Sequence, residues 1–544
     1  MRPQRLIAMT KRMVGPAVVL ALSATLVAGG CSASKTASSS TGTSNAQSGS
    51  AATAKAPATL NMAFNADMQV PDPDIFYEVE GNAVMTSAYE GLIRYAPNAT
   101  DFEPSLAESY SASADGLTYT FKLRSGVTFH DGTAMTSNDA KASFTRRSAL
   151  GSVSAPGYML ADVAGYDTPD PTTFVIHLKE PVSAFLDYLA SPYGPKVLSS
   201  ATLTAHAGSD LAQSWLKNHD AGTGPYTMSE FTQGDHYTLT AVPNYWGTKP
   251  AVTTVHIAIL PDITTQQLEL TNGQLQLIMH GLSKNDIASY EHNPKFQVQR
   301  FPANFKSMLM VNQNKGIFKS QELRTALQSA INRQQIVSSV YGDANAQLST
   351  QTYPTTELPG NLAVDSPKFD PALLASAAKS LANKKVDIGY TSDDARNQLA
   401  AELIQTELQA AGLDATTRGI TLATTFDLPN HPDQAPDLLM TVQNPDASHP
   451  DNWARIFQNT KGSLNWLQCS VPAADTEMDL GLHATTINDV QAHYGKAGDL
   501  LQKAACFDNI ADVKEIVVAQ AGYTGWSHQL SGLFTVRFAS LKLN

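Results

Sequence analysis

The chain has 544 residues, enough for two or three domains, and 42% of them are hydrophobic, so a globular core can form. Its formal charge of −12 excludes nucleic acid as a natural partner, because phosphate binding needs clustered Lys and Arg. No long apolar run follows residue 30, which excludes a membrane span in the remainder.

The N-terminus is basic at Arg2, Arg5, Lys11 and Arg12, and apolar from Met13 to Ala28. That apolar run is too short and too rich in Ala and Gly for a permanent span, so residues 1–30 are expected to be a signal peptide. Val27-Ala28-Gly29-Gly30-Cys31 resembles a bacterial lipobox, with Ala28 where Leu is usual. It implies cleavage before Cys31 and lipid on its thiol; the alternative is an ordinary secretory signal with an incidental cysteine. Ser32 to Lys55 is almost entirely Ser, Thr, Ala, Gly, Asn and Gln. It cannot offset its ordering entropy by burial, so residues 31–57 are expected to be a flexible tether.

The body begins with an alternating strand, Thr59 to Phe64, followed by the loop Asn65 to Pro73 and a helix, Asn82 to Leu92. Tyr119, Phe121 and Leu123 alternate with Thr120, Lys122 and Arg124 as a half-buried strand. Ser125-Gly126 and Asp131-Gly132 are turn signals that bracket a second short strand, Val127 to His130. Thr136 stands three residues before Asp139, a capping-box pair, and Ala140, Phe144 and Arg147 follow at helical spacing. Strands are predicted at Thr173–Leu178, Tyr237–Val242 and Val255–Leu260, with helices at Ala184–Leu189 and Thr264–Asn272, the latter stopped by Gly273. Met308–Asn312 is a further crossover. Ser320 caps a helix whose face carries Leu323, Leu327, Ala330, Ile331 and Val337. Val386–Tyr390, the helix Asn397–Ala411 stopped by Gly412, and Leu413–Thr417 make an α/β unit. Leu438–Val442 is a strand, Tyr494–Ala505 a helix, and Gly532–Leu543 is expected to pair back as strands.

Several of these stretches together resemble one family. They are Tyr89-Glu90-Gly91-Leu92, Pro104 to Ser109, Phe121 to Gly132, Thr136 to Arg146, Gly222 to Tyr226, Asn244-Tyr245-Trp246-Gly247 and Ala330 to Arg333. The resemblance is to the extracellular solute-binding proteins of oligopeptide, dipeptide and nickel ABC importers. It implies an α/β, periplasmic-binding-protein-like fold with two lobes and a hinged ligand cleft. The first lobe would be enlarged by an extra α+β domain. On that pattern residues 58–92, 223–304 and 519–544 form lobe I, 93–222 its extra domain, and 305–518 lobe II. The chain departs from the family at Gln274 and Gln276, where acids are usual, and at Asn332, where Asp is usual.

No G-x-S-x-G elbow, H-E-x-x-H pair or phosphate-cradling Gly-rich loop occurs, so no enzymatic activity, cofactor or metal site is expected. His431 and His449, near Asp433 and Asp446, are expected as solvated loop histidines rather than metal ligands. The functional stretch is Gln443 to Trp453, which follows a strand end, where α/β lobes place ligand contacts. In peptide-binding relatives the Asp matched by Asp446 pairs with the peptide's α-ammonium, and an aromatic often stands where Gln443 falls. The candidate ligand-binding residues are Gln443, Asn444, Asp446, Trp453, Asn465 and Trp466. For the two tryptophans core packing is an equal alternative, and Trp246 is expected in the core. Cys469 and Cys506, the remaining cysteines, are expected to form a disulfide on compartment and parity; the alternative is two unrelated buried thiols.

The function implied by the resemblance is a monomeric, lipid-anchored receptor on the outer face of a bacterial cell membrane. It would bind a small solute, a peptide before other classes, and deliver it to an ABC permease by cleft closure. The alternatives are a repurposed envelope lipoprotein acting by interaction without transport, and a secreted hydrolase, which would need a nucleophile–base pair in a cleft.

Overall fold

Thr59–Phe64 alternates as predicted, with Leu60, Met62 and Phe64 turned into the core, and it pairs in parallel with Thr254–Ile259. The computed structural model describes residues 58–68, 70–151, 156–354, 367–532 and 534–544 and extends this pair into an 11-stranded mixed sheet. The signal segment, Cys31 and the tether lie outside the described residues. From one edge the order is Asp414–Ile420, Lys385–Thr391, Leu438–Gln443, Phe296–Val311 and Phe507–Gln520. It continues through Leu277–Ile278, Thr59–Phe64, Thr254–Ile259, His236–Ala241 and Tyr226–Thr232. Ala346–Leu348 pairs with Phe507–Gln520 off this path.

Two long antiparallel strands, Phe296–Val311 and Phe507–Gln520, carry the chain from one half of the molecule to the other. Their register slips between Phe301 and Phe305, a local disruption that bends a strand. Phe301 packs with Leu60 and Phe64, whereas Phe305 packs with Leu309, Leu327 and Ile388. On the returning strand Val513 packs with the second group and Val517 with the first. Packing changes partner within a few residues on both strands, so two lobes with separate cores hang on one bent ribbon.

Lobe I carries a second, four-stranded antiparallel sheet, in the order Ala107–Ala112, Thr118–Leu123, Thr173–Leu178 and Val163–Asp170. The helix Ser137–Leu150 packs on it through Phe144, whose ring lies edge-on to Phe174 at 5.3 Å. That helix starts with the predicted capping box, Thr136 N–H donating to Asp139 Oδ2 at 2.8 Å, worth about 1 kcal/mol. The apolar residues of this sheet join the cluster that holds Leu60 and Phe64, so the extra domain and lobe I share one core. Gly222 and Gly224 let the chain re-enter: a Cβ on either would collide with the backbone carbonyls of Ala88 and Ser87 at the end of the helix Asn82–Ala88.

In lobe II, Lys385–Thr391 lies parallel to both Asp414–Ile420 and Leu438–Gln443, and the helix Ala395–Ala410 buries Ala400, Ala401, Ile404 and Leu408 against them. Gly412 adopts φ 86° and ends the helix. Ser320 caps Gln321–Ala330 by accepting from the Leu323 N–H. The helices Pro472–Leu482 and Ile487–Ala504 form a hairpin, and a disulfide joins Cys469, just before it, to Cys506, just after it, with Cα atoms 6.0 Å apart.

Several predicted elements differ. The helix capped by Ser320 ends at Ala330, where Ile331 is extended, so Ile331 and Val337 lie beyond it, and the helix predicted from Tyr494 starts at Ile487. Val127–His130 is no strand: Val127 and Phe129 are buried in alternation, but the only pairing is a single bridge from Thr128 to Ala134. The helix at Asn82 stops at Ala88, where Tyr89 is extended. Of Gly532–Leu543 only Lys542–Leu543 pairs, with Tyr523–Thr524; elsewhere that segment is tied by side chains, as where Thr535 Oγ1 accepts from the Gln529 N–H.

The disulfide closes a loop of sequence separation 37, for which the chain-entropy model gives about 4 kcal/mol. Replacing both cysteines by serine should lower the unfolding free energy by roughly 3–4 kcal/mol in urea titrations, and the intact protein should resist alkylation until it is reduced. Ready labelling of both thiols in the native, unreduced protein would remove the bridge.

Candidate functional site

The strand Leu438–Gln443 is flanked by strands on both sides and nearly all buried, and its C-terminal end delivers the loop Asn444–Ser448 to the face of lobe I. Asp446 is 4% exposed. Its carboxylate accepts hydrogen bonds from two lobe I phenols: Tyr77 at 2.9 and 3.1 Å, and Tyr158 at 2.8 Å. Its backbone carbonyl accepts from Ser191 Oγ at 2.5 Å. Two residues on, the Ser448 N–H donates to the Tyr95 hydroxyl, which donates in turn to Asp187. Burial pushes the Asp446 carboxyl up to about 6, against the bonds from Tyr158 and Tyr77 and the charge of Arg147, which hold it down.

The neighbouring side chains fix the direction of these bonds. Asn452 Nδ2 donates to the Tyr158 oxygen at 2.7 Å, so that hydroxyl has its own proton free for Asp446. The short helix Pro450–Trp453 is capped by His449, whose Nδ1 accepts from the Asp451 N–H at 3.1 Å. Burial pushes His449 down to about 4, leaving the neutral ring that such a cap requires. Asp451 is bound by Tyr188 of lobe I, by Tyr494 at 3.0 Å and by Arg455 at 2.9 Å. Burial raises its carboxyl, but Arg455 and the Tyr188 bond outweigh that and hold it below the usual carboxylate range.

Tyr77 is placed by a buried ionic knot. Arg146 donates to Asp72 at 2.9 and 2.5 Å and to Asp74 at 2.6 Å, and Arg147 donates to the carbonyls of Pro73 at 3.1 Å and Tyr193 at 2.6 Å. The loop that starts at Asn65 is thereby pinned to the helix Ser137–Leu150. Further along it, burial, with the charges of Asp67 and Glu80 adding to it, pushes Glu78 up to about 7.

Of the six candidate ligand residues, Gln443, Asn444 and Asp446 share the strand end and its loop. Gln443 Nε2 donates to Thr441 Oγ1 at 2.8 Å, and Asn444 is partly exposed. Trp453 and Trp466 sit elsewhere, both enclosed in a lobe II core: Trp453 lies 4.9 Å from Phe457 and Trp466 edge-on to Phe426 at 5.6 Å. Neither ring presents a face outward, because each is at most 1% exposed. Asn465 bonds the Asn459 and Cys469 carbonyls and the Cys469 N–H, shaping the loop at the disulfide. Trp246 is half-buried and donates to Glu90 at 2.9 Å. His431 lies exposed beside Asp427 at 2.9 Å, and His449 is buried rather than solvated. Among the described residues no group of three or more His, Cys, Asp and Glu side chains is arranged to hold a metal ion. Gln276, one of the departures from the family, accepts from the Asn61 N–H at 2.6 Å and ties the first strand in place.

The sequence reading missed Tyr77, Tyr158, Tyr188 and the pair Arg146-Arg147. Asp72-Pro73-Asp74 facing two adjacent arginines on a capped helix was a legible signal for the knot; the tyrosines carried none.

Residues 101–465 match the model of the bacterial extracellular solute-binding proteins, family 5 Middle. A putative ABC transporter peptide-binding protein of Brucella ovis is 29% identical over 426 residues, 75% of this chain and 79% of that protein. A probable D,D-dipeptide-binding periplasmic protein of Escherichia coli is 28% identical over 287 residues, 52% of this chain and 55% of that protein. The fold is that of the periplasmic binding protein DppA from Helicobacter pylori, solved with the peptide STSA. Its TM-score is 0.76 at 23% identity, covering 89% of this chain and 98% of that one. With two thirds of its length matched by the family model and the two-lobed architecture shared throughout, the chain belongs to the family 5 bacterial extracellular solute-binding proteins.

Proposed function

We propose that this chain is the receptor of an ABC importer for peptides, and that Asp446 holds the peptide's α-ammonium as the two lobes close. One observation carries this reading. The Asp446 carboxylate stands on lobe II, is buried, and is bonded by phenols of lobe I. A carboxylate has about four acceptor sites, and two phenols leave room for an ammonium. Uncharged hydroxyls satisfy its hydrogen bonding but not its charge, which is why burial still pushes it up. The peptide- and dipeptide-binding names of the relatives point the same way.

In this reading Gln443 and Asn444 line the rim of the cleft. Trp453, Asn465 and Trp466 support the loop from the lobe II core. Closure pivots on the strands Phe296–Val311 and Phe507–Gln520 where the register slips. The receptor works as a monomer, anchored outside the cell membrane through a lipid on Cys31, and it hands the ligand to a permease.

A double-mutant cycle tests the pair. Removing one partner of a buried ammonium–carboxylate pair costs about 2–5 kcal/mol, so Asp446→Ala should weaken binding of a free-amine peptide about 30-fold or more. N-acetylating the peptide should weaken binding to the native protein similarly and add little on the mutant. Independent, additive losses in isothermal titration would defeat the pair.

The pH dependence follows from the raised carboxyl. The ammonium pairs with ionised Asp446, so the bound form has the lower pKa and binding at low pH must release a proton. Affinity should be greatest near pH 7, between the two midpoints. Below pH 6 it should fall up to tenfold per unit, and above pH 8 it should decline as the peptide amine, with pKa about 7.7–8.0, loses its charge. Asp446→Asn should flatten the acid limb; an acid limb absent from the native protein would contradict the assignment.

Cys31→Ala should move the protein from the membrane to the aqueous fraction. Retention with an uncleaved signal would make Met13–Ala28 the anchor.

A further inference from the structure

Lobe I contains a large cavity away from the Asp446 carboxylate. It has a volume of about 840 Å³ and lies between the Tyr89–Arg94 stretch, the Tyr245–Lys249 turn and the C-terminal return around Trp526 and Arg537. This volume suits a small organic ligand. Its lining is unlike the rest of this acidic chain: it carries the cations Arg94, Arg124, Lys196, Lys249, Arg537 and Lys542, and only two carboxylates, Glu90 and Glu103.

Both carboxylates are already committed. Glu90 accepts from Tyr245 at 2.7 Å and from Trp246 and Thr223 at 2.9 Å each. Glu103 accepts from Arg94 Nε at 2.5 Å and from Arg537 at 3.3 Å. The cations, by contrast, are held but not used up. Arg124 donates through Nε to the Ser105 carbonyl at 2.7 Å and lies 5.1 Å over the Trp246 ring. Its two terminal nitrogens have no hydrogen-bond partner among the described residues. Arg94 is likewise pinned through Nε, with its terminal nitrogens free of any such partner. Lys196 is 6% exposed, and its ammonium donates only to the Ser191 carbonyl, at 2.9 Å. Burial and the nearby Arg147 push Lys196 down to about 7, the state of a buried cation short of a counter-charge; Asp74, whose charge acts against that shift, is engaged by Arg146. Guanidinium groups fixed through Nε present a planar fork of N–H donors that matches carboxylate or phosphate oxygens.

We propose that this cavity is a second ligand site, taking a small organic polyanion whose oxyanions are received by the free forks of Arg94 and Arg124 and by the Lys196 ammonium, with Trp246 as its apolar wall. The site is independent of the peptide reading, since none of these residues touches the Asp446 carboxylate.

Citrate and 3-phosphoglycerate serve as probes, each titrated calorimetrically into the full-length protein at low ionic strength. At least one should bind saturably, at one site per chain. Arg124→Gln should weaken that binding at least tenfold and leave the circular dichroism spectrum unchanged. Arg124→Lys, which keeps the charge but not the fork, should fall between the two. Lys196→Gln gives a second, independent variant and should weaken binding by a similar factor. Absence of saturable binding by both probes would overturn the proposal. So would binding that stays within twofold of native in both Arg124→Gln and Lys196→Gln, which would place the anion elsewhere.

Discussion

Two adjacent arginines on one helix hold the lobe I half of the interface in place. Arg146 and Arg147 reach from Ser137–Leu150 to Asp72, Asp74 and the Pro73 carbonyl, and so set where Tyr77 can stand. This knot is not a simple source of stability. Burial and the charge of Asp72 push Asp74 up to about 6 even with both arginines beside it. Buried ion pairs of this kind often gain little over apolar residues of the same volume, yet removing one partner costs about 3–5 kcal/mol. Their use here is positional: a polar loop rich in acids is given one conformation, and its one tyrosine, Tyr77, is aimed across the gap at Asp446.

The contacts between the lobes have a different character from the contacts within them. Each lobe closes mainly over its own apolar clusters, with Leu482 of lobe II reaching into that of lobe I and Tyr158 of lobe I touching one of lobe II. Across the gap run polar bonds: Tyr77 and Tyr158 to Asp446, Tyr188 to Asp451, Ser448 to Tyr95, and the Ser183 N–H to the Leu482 carbonyl at 2.7 Å. A hydrogen bond contributes about 0.5–1.5 kcal/mol net, and about 1.5–3 when one partner is charged, because water competes for the same groups. Such an interface exposes little apolar surface when it parts, chiefly Leu482 and the ring of Tyr158. The apolar clusters make each lobe rigid, and the tyrosine–carboxylate contacts make their association reversible.

The sequence made local structure legible wherever a few neighbouring residues decide it. The Thr136–Asp139 box, the alternation of Thr118–Leu123 and the Gly412 stop all behave as local chemistry dictates. The helix Ile487–Ala504 was legible only from Tyr494 onward, although Thr486 accepts from the Asp489 N–H and marks its true start. Val127–His130 shows the limit of the method: the alternation is real, but a strand also needs a neighbour, and no pattern reveals whether one arrives. The site divides in the same way. Asp446 could be singled out because it follows a strand end and matches a family position. Its phenol partners lie 369 and 288 residues away, and an isolated tyrosine has no periodicity that would betray them. Trp453 and Trp466 were ambiguous because a large aromatic ring serves a core and a ligand equally well.

The strand order has a consequence for how the chain comes to be folded. Leu277–Ile278 lies between Thr59–Phe64, near the start of the body, and Phe507–Gln520, near its end. The lobe I cluster also takes in Tyr523, Val536, Phe538 and Leu541. Lobe I therefore cannot be completed until the last few dozen residues have emerged, and its pairing spans nearly the whole body. Closing such distant contacts is slow, because the loop entropy is lost before the contacts repay it. The consequence is kinetic: residues 58–64 and 254–278 can meet early, but the lobe I sheet stays open on the side of Leu277–Ile278 until Phe507–Gln520 arrives, so the lobe locks late.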